Sequence, residues 1–118
     1  MSKTLSISLF TTPYTFENTY SALRLAEAAL NKGYQVKFFA YADGVHNFTT
    51  NQKARGIPNA ETLFSQLIER GLEVELCGTC LHFRGIGKDQ LMEGAAPSSM
   101  RNLCEIIKTS DVFITLAF

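Results

Sequence analysis

The stretch ELCGTCLHFRGI, Glu75 to Ile86, sets two of the chain's three cysteines three positions apart, with a histidine and an arginine just behind. Two thiols at that spacing admit several chemistries. A structural zinc site wants four ligands, commonly two CxxC knuckles or one knuckle with a histidine pair. Here one knuckle stands with His82 close by, His46 far off and no second knuckle, which disfavours zinc. Covalent haem attachment wants CxxCH, but position 81 is leucine and the histidine comes one residue late. Thiol–disulfide exchange would use one thiolate as nucleophile and the second to resolve a mixed disulfide, and the spacing permits it. Against it, LHFRGIGKD reads as a glycine-punctuated loop with at most a helical turn, not as the start of a long helix. The remaining chemistry is that of one nucleophilic cysteine, Cys77, whose thiolate is favoured by nearby positive charge and free backbone N–H groups. Arg84 and the CGTC turn offer both. Gly78 admits a close backbone approach, and Thr79 has a hydroxyl to donate.

Each of these residues also has a plain reading. Cys77 could be a buried strand-end cysteine, since free cysteine is a common core residue. Asp43 could cap a helix, Arg84 could be a solvated charge, Thr79 a turn residue and Tyr14 a packing aromatic. His46 and His82 read as surface or hydrogen-bonded histidines. Cys104 reads as core. No P-loop, GxGxxG or Ser-His-Asp arrangement occurs.

The elements that must hold these residues follow from periodicity. Thr4 to Phe10 alternates, with Leu5, Ile7 and Leu9 on one side, as a strand does. TTPY then turns at Pro13. Phe16, Tyr20, Leu23, Ala26 and Leu30 recur at helical spacing up to Asn31, and Gly33 sits where a helix C-cap belongs. Tyr34 to Tyr41 reads as a second strand, broken at Asp43-Gly44. His46 to Asn59 reads as a short helix and a loop, and Glu61 to Gly71 as a helix with the stripe Leu63, Phe64, Leu67 and Ile68. Leu72 to Cys77 is a third strand that runs straight into the cysteine motif. In PSSMRNLCEIIKTSD, Ser98 or Ser99 caps a helix whose inner face would be Met100, Leu103, Cys104 and Ile107. VFITLAF closes as a strand. Strands alternating with helices imply βαβ units and a mainly parallel sheet with helices on both faces. In such sheets, reactive groups gather beyond the carboxyl ends of the strands. The Thr11–Tyr14 turn, Asp43-Gly44 and Cys77 all fall at that edge.

The 118 residues are expected to form one domain, 46% hydrophobic and 19% charged. Eleven basic and eleven acidic residues cancel, so the field that nucleic-acid binding needs is missing, and low net charge favours self-association. No segment approaches the roughly 18 apolar residues of a membrane span. MSKTLSISLFTTPY lacks the length and cleavage site of a signal peptide. A cytoplasmic location with reduced thiols is therefore expected, and the odd cysteine count argues against a disulfide framework.

TTPY, ALRLAEAAL, FFAYADGV, VELCGTCLHFRGI, LMEGA and a final SDVFITLAF, in that order, resemble the DsrE family of sulfur-relay proteins, and within it the YchN-like branch. The likeness spans nearly the whole chain. It implies a three-layer αβα sandwich with a mainly parallel sheet of about five strands, assembled as dimers to hexamers. It also implies that Cys77 accepts sulfane sulfur as a persulfide, taking it from a sulfur-donor protein and passing it to an acceptor protein. No metal or organic cofactor is implied. On this reading Cys77 and Cys80 are the reactive residues, with Arg84, Asp43, Thr79 and Tyr14 around the pocket. Two alternatives stand beside sulfur transfer: a CxxC thiol–disulfide protein using Cys77 and Cys80, and a non-catalytic oligomeric binding subunit.

Overall fold

In the computed structural model, which describes residues 3–117, five strands form one sheet in the order β4-β3-β2-β1-β5. The strands are β1 (Thr4–Leu9), β2 (Gln35–Ala40), β3 (Glu73–Cys77), β4 (Ala95–Ser98) and β5 (Val112–Leu116), and every neighbouring pair is parallel. The helices are α1 (Asn18–Asn31), α2 (Ala60–Glu69), α3 (Gly78–Phe83) and α4 (Met100–Thr109), with a 3-10 helix at Ala42–Phe48. Among the described residues, no helix is long and apolar enough to cross a membrane.

The alternation of β1 aims Ile7 and Leu9 into the larger core, where Val36, Phe38 and Ala40 of β2 and Val74 and Leu76 of β3 join them. The inner sides of α1 and α2 close this face with Ala22, Leu23, Ala26, Phe64 and Leu67. Phe38, Phe48 and Phe64 meet there at centroid distances of 4.5–6.4 Å. The opposite face carries a smaller cluster: Phe39, Cys77, Leu103 and Ile106. Ser6 and Ser8 of β1 are buried as well, so alternation here separates two covered faces rather than core from solvent. The helix ends obey simple chemistry. Asn59 accepts a hydrogen bond from the Thr62 N–H at 3.0 Å, and Gly33 follows α1 at φ +84°, a conformation that glycine adopts without strain.

Four expectations change. The short helix placed after His46 begins earlier, at Ala42, and so contains Asp43. The CGTC turn is instead the start of α3, a six-residue helix that begins at Gly78 and ends at Phe83. Four residues, AAPS, form the unanticipated β4; Pro97 is tolerated because β4 lies at the sheet's edge. Finally, α4 buries Leu103 and Ile106, while Met100, Cys104 and Ile107 are exposed. Cys104 is therefore a surface residue and not core.

Candidate functional site

The parallel sheet brings the carboxyl ends of β2 and β3 side by side, with Ala40 paired to Leu76. The chain leaves β2 through a sharp bend in which Ala42 takes φ +51°, the left-handed region that residues with a side chain rarely enter. Gly44 holds this bend against β1: a Cβ there would lie 2.0 Å from the carbonyl oxygen of Leu9. No other residue fits. The consequence is that the Ala42 N–H points at the Cys80 sulfur and donates to it at 3.1 Å.

From the β3 side, Cys77 ends the strand and caps α3, its sulfur accepting from the Cys80 N–H at 3.4 Å. Cys77 is 5% exposed, packed with Phe39, Leu103 and Ile106 beneath α4, whereas Cys80 is half-buried and touches both hydrophobic clusters. Burial pushes the Cys80 thiol above the ordinary range, and its interaction with the neighbouring Cys77 adds to the effect. The Ala42 N–H and the Arg84 guanidinium act the other way. Each sulfur thus accepts one backbone N–H, and the two differ in surroundings: Cys77 is buried under α4, while burial favours the neutral thiol at Cys80.

Arg84 closes the arrangement at the end of α3. Its Nε donates to Asp43 Oδ1 at 3.0 Å, one terminal nitrogen lies 2.9 Å from the same oxygen, and the other donates to the Cys80 carbonyl at 3.1 Å. This bridge ties the β2 bend to the cysteine helix. The sequence-derived set divides accordingly. Cys77, Cys80, Asp43 and Arg84 come together, and Thr79 stands exposed in the first turn of α3. Tyr14 does not join them. Its hydroxyl donates to Gln52 at 2.7 Å and accepts from the Ala60 N–H at 3.0 Å, which pins the start of α2. The two principal surface grooves also lie away from the sulfurs, one between α1 and α2 beside Tyr20 and Leu63, the other at the amino end of β1 beside Leu25 and Val112. Among the described residues, no three of His, Cys, Asp and Glu cluster as a metal site.

Two contributors escaped the sequence reading. The Ala42 N–H is a backbone donor with no side-chain signature. Phe39, beside Cys77, was readable only as a strand aromatic; its place two residues before Tyr41, on the side of β2 opposite Phe38, was the available signal.

Known proteins resemble this chain along most of its length. An uncharacterized protein of Methanopyrus kandleri is 36% identical over 107 residues, covering 91% of this chain and 88% of that one. One from Methanocaldococcus jannaschii is 38% identical over 103 residues, covering 87% and 90%. The crystal structure of YchN from Escherichia coli superposes with a TM-score of 0.90 at 25% identity, across 98% of this chain and all of YchN. The model of the DsrE/DsrF-like family matches residues 5–116; with its all-parallel sheet and its cysteine-bearing third strand, this chain belongs to that family.

Proposed function

We propose that the protein is a sulfur-relay component that carries sulfane sulfur as a persulfide on Cys77. The observation that carries this reading is the sulfur of Cys77 at the carboxyl end of β3, accepting the Cys80 N–H beside a second thiol that retains its proton. Hydrogen bonds to a thiolate stabilise it, and the thiolate is the attacking species. In the transfer, Cys77 S⁻ attacks the outer sulfur of a donor persulfide R–S–SH. The new S–S bond forms on Cys77 as the donor's S–S bond breaks, and R–S⁻ departs. The reverse displacement, by an acceptor thiolate on the outer sulfur, returns Cys77 to its starting state. Because Phe39, Leu103 and Ile106 cover Cys77, donor and acceptor approach past the more exposed Cys80.

The partners on this reading are a sulfur-donor protein and a sulfur-acceptor protein, in a reducing, cytoplasmic compartment. Self-assembly is part of the same proposal. Met100, Cys104 and Ile107 present an exposed apolar stripe on α4, and a chain of zero net charge offers little repulsion between copies.

Intact mass spectrometry after anaerobic exposure to a small-molecule persulfide tests the reading in a Cys104→Ser background. One added sulfur atom is expected with Cys77 present and none in Cys77→Ser. Equal loading of the Cys77→Ser protein would sink it. A second reading, reversible thiol–disulfide exchange, is favoured by the i,i+3 placement of the two cysteines at the start of α3, with the Cys80 N–H on the Cys77 sulfur, and requires both cysteines.

A further inference from the structure

Cys80 is held in a way that a bystander would not require. Its sulfur receives the Ala42 N–H from a left-handed residue, its carbonyl receives Arg84, and Arg84 is in turn anchored on Asp43. Two contacts, the second braced through Asp43, fix this residue against Cys77, whose sulfur lies 3.4 Å from the Cys80 backbone nitrogen. Residues three apart at a helix start are side-chain neighbours, and the Cys80 N–H donating to the Cys77 sulfur sets the start of α3 directly beneath that sulfur.

We propose that Cys80 resolves the Cys77 persulfide within the same chain, so that the protein discharges its sulfur as hydrosulfide when no acceptor thiol takes it. The proposal rests on the persulfide reading of Cys77. The Cys80 thiolate, formed by loss of its proton to solvent, attacks the inner sulfur of Cys77–S–SH. A Cys77–Cys80 bond forms, the bond to the outer sulfur breaks, and that sulfur leaves with the electron pair as HS⁻. The persulfide is itself the oxidant, so no other is needed. A dithiol reductant returns the disulfide to two thiols for the next cycle. The Ala42 N–H and Arg84 stabilise the attacking thiolate, and burial opposes its formation. A persulfide loaded near neutral pH is thus long-lived enough to be passed on, and discharge is the slower, default fate. Release should rise about tenfold per pH unit while Cys80 remains mostly protonated, since only the thiolate attacks.

The test is a single-turnover experiment on Cys104→Ser protein, loaded anaerobically with glutathione persulfide and desalted. Intact mass and trapped sulfide are followed together over time. The expected course is loss of the added sulfur with one equivalent of sulfide released, leaving protein two hydrogen atoms lighter than the reduced form. Cys80→Ser and Cys80→Ala should each keep the added sulfur at least tenfold longer. If wild-type and both Cys80 variants hold the sulfur equally long, this proposal fails and the carrier reading survives. If none of them loads, the carrier reading fails and takes this one with it. A disulfide that appears without any released sulfide would be plain oxidation and would also overturn it.

Discussion

The two faces of the sheet are built to different standards. On one, α1, α2 and the 3-10 helix cover a continuous core in which Phe38, Phe48 and Phe64 are wholly buried and interlocked. On the other, the buried cluster has four residues, and one of them is Cys77. The lesson is positional. The first face supplies rigidity, and the reactive sulfur sits on the second, where one helix lies between it and solvent. Stability and chemistry are thereby separated by the thickness of one sheet, and Cys80, touching both clusters, is the residue where they meet.

The contrast is open to attack at several strengths. Phe64→Ala should produce the largest loss, about 3–5 kcal/mol by urea denaturation, because a fully enclosed aromatic leaves a cavity that its neighbours cannot fill. Leu103→Ala on the thin face should cost less, near the low end of the roughly 2–5 kcal/mol range for such truncations. Equal losses would mean that the faces are energetically alike. Gly44→Ala, which drives a methyl into the Leu9 carbonyl, should cost about 1–3 kcal/mol by overpacking. It should also alter Cys80 alkylation kinetics, since the same bend aims the Ala42 N–H at that sulfur.

The smallest expected effect is a pH dependence. Folding raises the Cys80 pKa, chiefly by burial, so the folded state favours the neutral thiol. This contribution is complete below the unfolded thiol value of roughly 8.5 and is lost as pH rises through the folded one. Thermal melts should therefore show a decline on the alkaline side that Cys80→Ala makes shallower. An unchanged slope in the variant would place the titrating group elsewhere.

The legible part of the fold was the part with one dominant signal. β1, α1, α2 and β3 each had a clear apolar pattern and a turn proline, capping residue or glycine near a boundary, and the structure keeps them within a few residues. β4 had neither: AAPS is four residues long and contains the residue least compatible with a sheet interior, so only its edge position explains it. In α4 the apolar residues Met100, Leu103, Cys104, Ile106 and Ile107 span too wide an arc for periodicity to choose an inner side. Packing onto Phe39 chose Leu103 and Ile106. At the site, Asp43 and Arg84 were each readable as residues near one pocket, but their pairing across 41 positions was not, because nothing local in either segment names its partner. Tyr14 shared that edge in sequence, but its hydroxyl bonds draw it to α2.

The proline of β4 has one more consequence, for growth rather than for chemistry. A four-residue border strand with Pro97 at its third position is a poor template for an incoming strand. The opposite border, β5, is a five-residue strand without proline. Any strand-to-strand joining between copies would therefore fall on the β5 side of the sheet. A surface that mates only with itself closes after two copies, whereas two complementary borders would add copies without end. Pro97 thus makes β4 a border disfavoured for added strands, as edge prolines do.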